Sequence, residues 1–167
     1  MLTRPTVSRI WKSVVSQGCL VPEKISQETR SRMMSGIRGR DTKPELLIRR
    51  HLHAQGLRFR LDARDLPGRP DIVLPRWKTV VFAHGCFWHR HKDCSFFRLP
   101  KTRPEFWADK IQRNVERDRI ALERLRDEGW RVAIIWECAL RKEQDHTLDR
   151  LASFVRSDQR LLEIGTG

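Results

Sequence analysis

The sequence predicts a single α/β domain in which helices cover both faces of a mixed β-sheet. Helix-like and strand-like segments alternate along its 167 residues, which is the pattern of this fold class. A chain of this length also builds one hydrophobic core rather than two. Segments 79–83 and 130–137 are mostly apolar, as strands covered on both faces are.

The chain begins with residues that are predicted to lie outside this domain. Residues 1–22 are interpreted as an arm that is either disordered or separate from the folded unit. The basic segment 26–40 allows a short helix, and its apolar side would consist of Met33, Met34 and Ile37. We therefore expect an N-terminal extension over residues 1–24 and one domain over residues 25–160.

A capped helix is predicted over residues 42–55. Thr42 is a suitable N-cap, Pro44 falls in the first turn, and Glu45 stands at the capping-box spacing. Gly56 is expected to end the helix. The predicted core positions are Leu46, Leu47, Leu52 and Ala54.

Three short strands are predicted next. Residues 57–62 alternate between apolar and polar side chains, as a half-buried strand does. A loop with two prolines and a glycine leads to the strand 71–74, and a brief turn leads to the apolar strand 79–83. The following residues 84–103 show no periodicity and are dense in Cys, His and aromatics. They are predicted to form an irregular segment that a metal holds together.

The longest helix is predicted over residues 104–127, beginning at Pro104 and ending before Gly129. A buried strand over 130–137 and an amphipathic helix over 143–157 complete the domain. Near-helical spacing assigns core positions on the two helices to Phe106, Trp107, Ile111, Val115, Leu122, Leu125, Leu148, Leu151 and Phe154.

The charge of the chain points to a polyanionic partner. The formal net charge is +13, and residues 1–60 contain 13 Lys and Arg against 4 Asp and Glu. Neutralising phosphate is the usual reason for such a bias, so nucleic acid is the leading candidate. The alternative is a protein that merely has a high isoelectric point.

The apolar residues exclude a membrane protein at this stage. No apolar run approaches the roughly 20 residues of a spanning helix. The N-terminal residues also lack the apolar stretch of a secretory signal, so we expect a cytoplasmic protein.

Four residues form a pattern that is typical of structural zinc. Cys86, His91 and Cys94 follow the spacing C-x4-H-x2-C, and Cys138 comes much later, near the end of a predicted strand. Zinc favours four Cys and His ligands in a tetrahedron, so such a site would fasten the loop to the sheet. The set Cys86, His89, His91 and Cys94 is an alternative, and Cys138 would then be a buried core thiol.

A second group of residues suggests a catalytic divalent cation. Asp71 is an acid at the start of a strand, where burial without a partner is costly, and Mg²⁺ prefers carboxylate and carbonyl oxygens. The next strand could bring the main-chain carbonyl of Ala83 beside it. His84 and His89 follow, and a histidine can take a proton from a water that attacks phosphorus. Equally, Asp71 could cap a turn while the histidines only flank the zinc site.

Three more polar residues have two interpretations each. Glu45 is explained by the capping box, or it holds a metal-bound water. Asn114 and Asp118 are four residues apart on the long helix and hence on one side of it. They would face either the metal site or solvent.

Aromatic residues interrupt the polar loop. Phe87 and Trp88 stand between the candidate metal ligands, and Trp107 lies early in the long helix. Large side chains on a rigid loop can wedge between base pairs and kink a duplex, and Met34 could enter from the other groove. Core packing is the alternative interpretation for each ring.

A series of motifs spans residues 25–142, which is most of the chain. The runs are TRSRMMSGIRGRDTKPE (29–45), PGRPD (67–71), FAHGCFWHRHKDC (82–94), PKTRPEFW (100–107), NVERD (114–118) and GWRVAIIWECAL (129–140). In this order they closely resemble the very-short-patch mismatch repair endonucleases.

The resemblance implies a restriction-endonuclease-like fold and a magnesium-dependent nick in DNA. The cut would fall 5′ to the T of a T:G mismatch, the lesion that deamination of 5-methylcytosine leaves. It would start very short patch repair of double-stranded DNA, with mismatch-repair proteins as candidate partners. Independently of the resemblance, a single nick needs only a monomer, whereas symmetric cleavage of both strands would require a homodimer.

Two other functions are considered from the residues alone. One is a zinc-stapled DNA-binding module without catalysis, and the other is a restriction-type endonuclease that cuts both strands. Asp71 and His89 favour an enzyme, because a pure binder needs neither. Phe87 and Trp88 favour distorted, mismatched DNA over an intact site.

The resemblance also implies the roles of the catalytic residues. Asp71 would bridge the metal, the Ala83 carbonyl would be a further ligand, and His84 would contact phosphate. His89 would be the general base, with Asp118 as its partner. The acid-X-Lys motif of the broader superfamily is absent, which is consistent with a histidine mechanism. Ala83 stands where this family often has Thr, a change that matters little if only the carbonyl binds metal.

The remaining roles concern waters, zinc and DNA. Metal-bound waters would be held by Glu45 and Asn114. The zinc ligands would be Cys86, His91, Cys94 and Cys138. The DNA contacts would come from Met34, Phe87, Trp88, Trp107 and Lys110.

Overall fold

The computed structural model describes residues 26, 28, 29, 40–61 and 63–166. The predicted arm over residues 1–24, Met34 and most of segment 26–40 lie outside the described residues. Within that segment, the Thr29 N–H donates to the Ser26 hydroxyl at 3.2 Å.

The main unit consists of five helices and four strands within the described residues. The helices are α1 (Lys43–Ala54), a 3₁₀ turn (Pro75–Trp77), α2 (Pro104–Asp127), α3 (Glu137–Lys142) and α4 (Gln144–Val155). The strands are β1 (Ile72–Leu74), β2 (Thr79–His84), β3 (Arg131–Trp136) and β4 (Leu161–Ile164). None of these helices combines the length and the apolar character that crossing a membrane requires.

The four strands form one mixed sheet in the order β1-β2-β3-β4. β1 is antiparallel to β2, and Ile72 lies opposite Val81. β2, β3 and β4 are parallel, so the carboxyl ends of β2 and β3 meet at one edge, where His84 lies opposite Trp136. Ligand sites of open α/β sheets lie outside this edge.

The alternation of side chains along the strands divides the core into two halves. Ile72, Val81 and Ile135 belong to the half that packs against α1 and α4. Val80 and Ile134 belong to the other half, which Leu125 of α2 and the buried cysteines complete. Both sheet faces are therefore covered by helices, which confirms the predicted fold class.

The start of α1 follows the predicted chemistry closely. The Thr42 hydroxyl accepts from the Glu45 N–H, and the Glu45 carboxylate accepts from the Thr42 N–H, so the capping box is complete. The predicted core side was wrong in part, because Ile48 and Leu52 are the buried apolar residues. Ala54 is exposed and Leu46 and Leu47 are only half-buried.

Two other predicted elements were wrong in type or extent, and one strand was not predicted. Among the described residues of this segment, 57–61, the only strand-like pairing is an isolated antiparallel bridge between Arg60 and Val73. Residues 137–142, read partly as the end of a strand, form α3, so Cys138 lies in a first helical turn. No pattern in the sequence predicted β4, whose four residues pair with β3 at the edge of the sheet.

Candidate active site and metal centre

A cluster of three thiols and one imidazole lies at the carboxyl edge of the sheet. The Sγ atoms of Cys86, Cys94 and Cys138 and a ring nitrogen of His91 all lie within 4.8 Å of one another. Nδ1 of His91 is 3.3 Å from the Cys138 Sγ and 3.8 Å from the Cys86 Sγ. We call these four residues the thiol cluster.

The parallel pairing of β2 and β3 explains why the thiol cluster assembles. Cys86 lies two residues after the end of β2, and Cys138 lies two residues after the end of β3, so both lie at the same edge of the sheet. The His91 ring stacks on Trp136 with 4.1 Å between ring centroids. The loop that carries Cys86, His91 and Cys94 is thereby held against the sheet.

The last described residues close the thiol cluster from the other side. The Thr166 N–H donates to the Cys138 Sγ at 3.4 Å, and Trp136 Nε1 donates to Glu163 at 2.7 Å. Gly165 packs so closely on His91 that an added Cβ would lie 2.5 Å from Nε2. Only glycine fits this approach without displacing the imidazole.

The donor set fits zinc by its chemistry. Burial raises the pKa of the Cys86 thiol to about 12 and lowers the pKa of His91. The imidazole is thus kept in its neutral, ligating form, whereas the buried thiol needs a cation to become a thiolate. Three cysteines and one histidine are a common structural zinc set.

Asp71 lies where β1 begins, next to β2. Its Oδ2 accepts a hydrogen bond from the Ala83 N–H at 2.7 Å. Burial raises the pKa of Asp71 to about 6, the hydrogen bond from Ala83 opposes this, and the charge of Glu45 raises it further. Electrostatic interactions with His89 and Arg49 lower it. The carboxylate is thus an expensive charge that a cation would stabilise.

Two histidines stack beside this carboxylate. The rings of His84 and His89 are nearly parallel, with 3.8 Å between centroids. Nδ1 of His89 is 2.5 Å from Oδ2 of Asp118 on α2. A proton on Nδ1 that is donated to Asp118 leaves Nε2 of His89 as a free base. Burial lowers the pKa of His84 to about 3, so this ring is neutral at physiological pH.

The flanking polar residues have defined partners. Asn114 Nδ2 donates to the Trp88 carbonyl at 3.2 Å, so Asn114 and Asp118 both face the loop after β2 rather than solvent. Glu45 is 4% exposed, and its carboxylate accepts from the Asp41 N–H and the Thr42 hydroxyl and pairs with Arg49. Every one of these Glu45 partners is local, which supports the capping interpretation.

Half-buried aromatic rings form a patch next to the thiol cluster. Phe87 lies 5.1 Å from Trp88 and 5.6 Å from Trp107 between ring centroids. Lys110 Nζ lies 5.4 Å and 5.3 Å from the centroids of the two tryptophans. Phe106 was predicted to be core but is 45% exposed and packs edge-on against Trp107. We call these five residues the aromatic patch.

Comparison with known proteins identifies the chain. A family model described as DNA mismatch endonuclease Vsr matches residues 23–95. The DNA mismatch endonuclease Vsr of Escherichia coli is 50% identical over 123 residues, covering 74% of this chain and 78% of that protein. The chain belongs to the Vsr family of DNA mismatch endonucleases.

Two further relatives have names that describe nicking enzymes. The type II nicking enzyme V.XorIIP of Xanthomonas oryzae pv. oryzae is 47% identical over 118 residues, which are 71% of this chain and 86% of the relative. V.NmeAIP of Neisseria meningitidis is 44% identical over 127 residues, with 76% and 89% covered. As a Vsr-family member the protein is a hydrolase whose substrate is DNA, which confirms the predicted class of enzyme and partner.

The structure brings together most of the residues predicted for the site. Asp71, His84, His89 and Asp118 converge at the end of β2, and the thiol cluster contains Cys138 rather than His89. Sequence reasoning missed the exposure of Phe106. It also missed several arginines next to Asp71, because they come from separate segments and carry no local pattern.

Proposed function

We propose that this enzyme is a magnesium-dependent endonuclease that nicks DNA 5′ to the T of a T:G mismatch. The observation that carries the proposal is the convergence of Asp71 with the stacked histidines and the His89–Asp118 pair. A carboxylate that attracts a cation and a base beside it are the two requirements for hydrolysing a phosphodiester. Membership of a mismatch endonuclease family supports the choice of substrate.

The chain's own residues supply the proton transfer. His89 takes a proton from water at Nε2, and Asp118 stabilises the positive ring through Nδ1. The water oxygen bonds to phosphorus, and the bond from phosphorus to the 3′ oxygen breaks. The departing 3′ oxygen takes a proton from solvent water, so the products are a 3′-hydroxyl and a 5′-phosphate. In this proposal neutral His84 contacts a phosphate oxygen.

Magnesium is assigned to Asp71 and the main-chain carbonyl of Ala83. A cation there would polarise the scissile phosphate and stabilise the departing 3′ oxygen. The Ala83 N–H already holds the Asp71 carboxylate against the end of β2. In this proposal Glu45 and Asn114 hold metal-bound waters, in addition to their contacts with Thr42 and Trp88.

The thiol cluster is proposed to hold a structural zinc ion, and the aromatic patch to read the mismatch. Fixing the loop on both sides of Phe87 and Trp88 gives these rings the rigidity that a wedge between base pairs requires. Met34 is proposed to enter from the opposite groove, and Lys110 to contact the DNA. The enzyme is proposed to act as a monomer on cytoplasmic, nucleoid DNA, in association with mismatch-repair proteins.

A strand-specific nicking assay tests this proposal. Two end-labelled duplexes are incubated with the protein and Mg²⁺, one with a T:G mismatch in a methylation-site context and one fully paired. A single cut 5′ to the mismatched T, abolished by EDTA, is the expected result. Tight binding without cutting would favour the zinc-stapled binding module, and cutting of both strands of the paired duplex would favour a restriction-type enzyme.

A further inference from the structure

A basic cavity lies beside Asp71, on the side that faces α1. Its volume is about 240 Å³, and it is bounded by the start of α1 and the loop that precedes β1. The charged residues that line it are Arg40, Glu45, Arg49, Arg64, Arg69 and Asp71. Four guanidinium groups thus share the cavity with two carboxylates, so its excess charge is positive.

Two of the lining arginines have side chains that are available to bind a ligand. Arg49 is committed, because its guanidinium pairs with Asp41 and Glu45. Arg64 and Arg69 are both exposed, and neither forms an ion pair or a side-chain hydrogen bond with the described residues. Arg60 on the same loop differs, because both of its Nη atoms bind the Asp65 carboxylate, at 2.9 and 2.6 Å.

The loop holds Arg69 in a fixed backbone conformation. Gly68 and Arg69 have consecutive positive φ values of 72° and 52°, and the next residue, Pro70, is buried. A Cβ on Gly68 would lie 2.7 Å from the Cβ of Ala121 on α2, so the loop is packed tightly on the helix. An arginine carried by such a loop loses little backbone freedom when its guanidinium binds a ligand.

The chemistry of the cavity selects a phosphate group. The planar donor fork of Arg matches the oxygens of a phosphate, and the exposed rim leaves the cavity open to a polymer. We infer that the cavity binds a phosphodiester of the cleaved strand that neighbours the scissile phosphate, with Arg64 and Arg69 as its ligands. This inference rests on the proposed function, which puts the scissile phosphate at Asp71.

Anchoring a neighbouring phosphate would have a direct benefit at this site. Asp71 and Glu45 repel the backbone that must approach them, and the arginines offset that repulsion. The contact reads no base, so it fixes the register of the strand without adding sequence preference.

A binding experiment with modified DNA tests the inference. The protein carries His89→Ala, which is expected to slow cutting by about 10²–10⁴-fold and does not line the cavity. Arg64→Gln and Arg69→Gln are added singly and together, and Arg126→Gln is the matched control. Arg126 is an exposed arginine at the far end of α2, beside Trp130 and thus near the start of β3. Each protein is titrated with T:G duplexes in which one phosphate near the cleavage point is a neutral methylphosphonate.

The expected result is that the arginine substitutions and the methylphosphonate are coupled at one phosphate. At that position the methylphosphonate weakens DNA binding by the parent protein about tenfold. It weakens DNA binding by the double variant less than twofold. The double variant also lowers the slope of log K against log salt by about 1, whereas Arg126→Gln leaves both quantities unchanged. Independent losses at every phosphate, or an unchanged salt slope, would overturn the inference.

The experiment separates this inference from the proposed function. Binding and its salt dependence are measured without cleavage, so a coupling can appear even if the active enzyme fails to nick the T:G duplex. Conversely, normal nicking with no coupling would refute the phosphate site alone. In the active enzyme, Arg64→Gln should raise KM more than it lowers kcat, because the group binds strand that does not react.

Discussion

Replacing Asp71 with asparagine should make the enzyme more stable at neutral pH when magnesium is absent. Burial and the charge of Glu45 raise the pKa of Asp71 from 3.8 to about 6, so the folded state keeps this carboxylate ionised at a cost. The amide oxygen of the Asp71→Asn variant would still accept the hydrogen bond that the Ala83 N–H donates. The substitution therefore removes the cost and retains the contact.

The size of the effect follows from the two pKa values. Each pH unit between 3.8 and about 6 is worth about 1.4 kcal/mol of unfolding free energy. The gain should be about 3 kcal/mol at pH 7.5, and about 1 kcal/mol at pH 4.5, where the carboxyl is protonated in the fold and mostly ionised when unfolded. The gain should vanish only well below pH 3.8, where the carboxyl is protonated in both the folded and the unfolded state.

Urea unfolding followed by tryptophan fluorescence measures this difference. The wild type and the variant are compared at pH 7.5 and 4.5, without added Mg²⁺. No chelator is used, because it would remove metal from the thiol cluster. Asp65→Asn is the control, because Asp65 is exposed and its pairing with Arg60 lowers its pKa, so no gain is expected. Added Mg²⁺ should reduce the difference in unfolding free energy between the two proteins, because it stabilises only the wild type. A gain that is the same at both pH values, or no gain, would refute the reasoning.

Three further outcomes test the proposed roles. His89→Ala should lower the single-turnover nicking rate by about 10²–10⁴-fold while binding of mismatched DNA is retained, and normal nicking would reject His89 as the base. Cys94→Ser should reduce bound zinc measured by atomic absorption and lower the thermal midpoint, and an unchanged metal content would count against the thiol cluster as the zinc site. Trp88→Ala should weaken binding to the T:G duplex more than to the paired duplex. Equal losses on the two DNAs would instead indicate that Trp88 only packs.

The sequence predicts those parts of the site that local spacing determines. Cys86, His91 and Cys94 lie within nine consecutive residues, and the capping box of Glu45 spans four. The apolar runs of β2 and β3 are long enough to identify buried strands, and their parallel pairing brings Cys138 to the same edge. The order of the motifs along the chain predicts the mismatch endonuclease family, which residue spacing alone does not.

The parts that were wrong depend on tertiary contacts. β4 has four residues, three of them not buried, and is a strand only because β3 offers it an edge. Phe106 fits the helical periodicity of the core, but its ring is 45% exposed and packs edge-on against Trp107. The basic cavity is lined by Arg49 of α1 and by Arg64 and Arg69 of a loop. No pattern within either segment predicts that these residues lie close together.

The contact between Gly165 and His91 has a consequence for how a metal would be exchanged. The thiol cluster is covered by a segment that follows a short edge strand, and such strands open locally at much lower free energy than the whole fold. A bound ion could therefore leave through fraying of β4 while the rest of the sheet stays folded. The time that the ion stays bound would then depend on how stably the four residues Leu161–Ile164 pair with β3. The rate of metal release from this enzyme would thus measure how often β4 opens, and not the free energy of global unfolding.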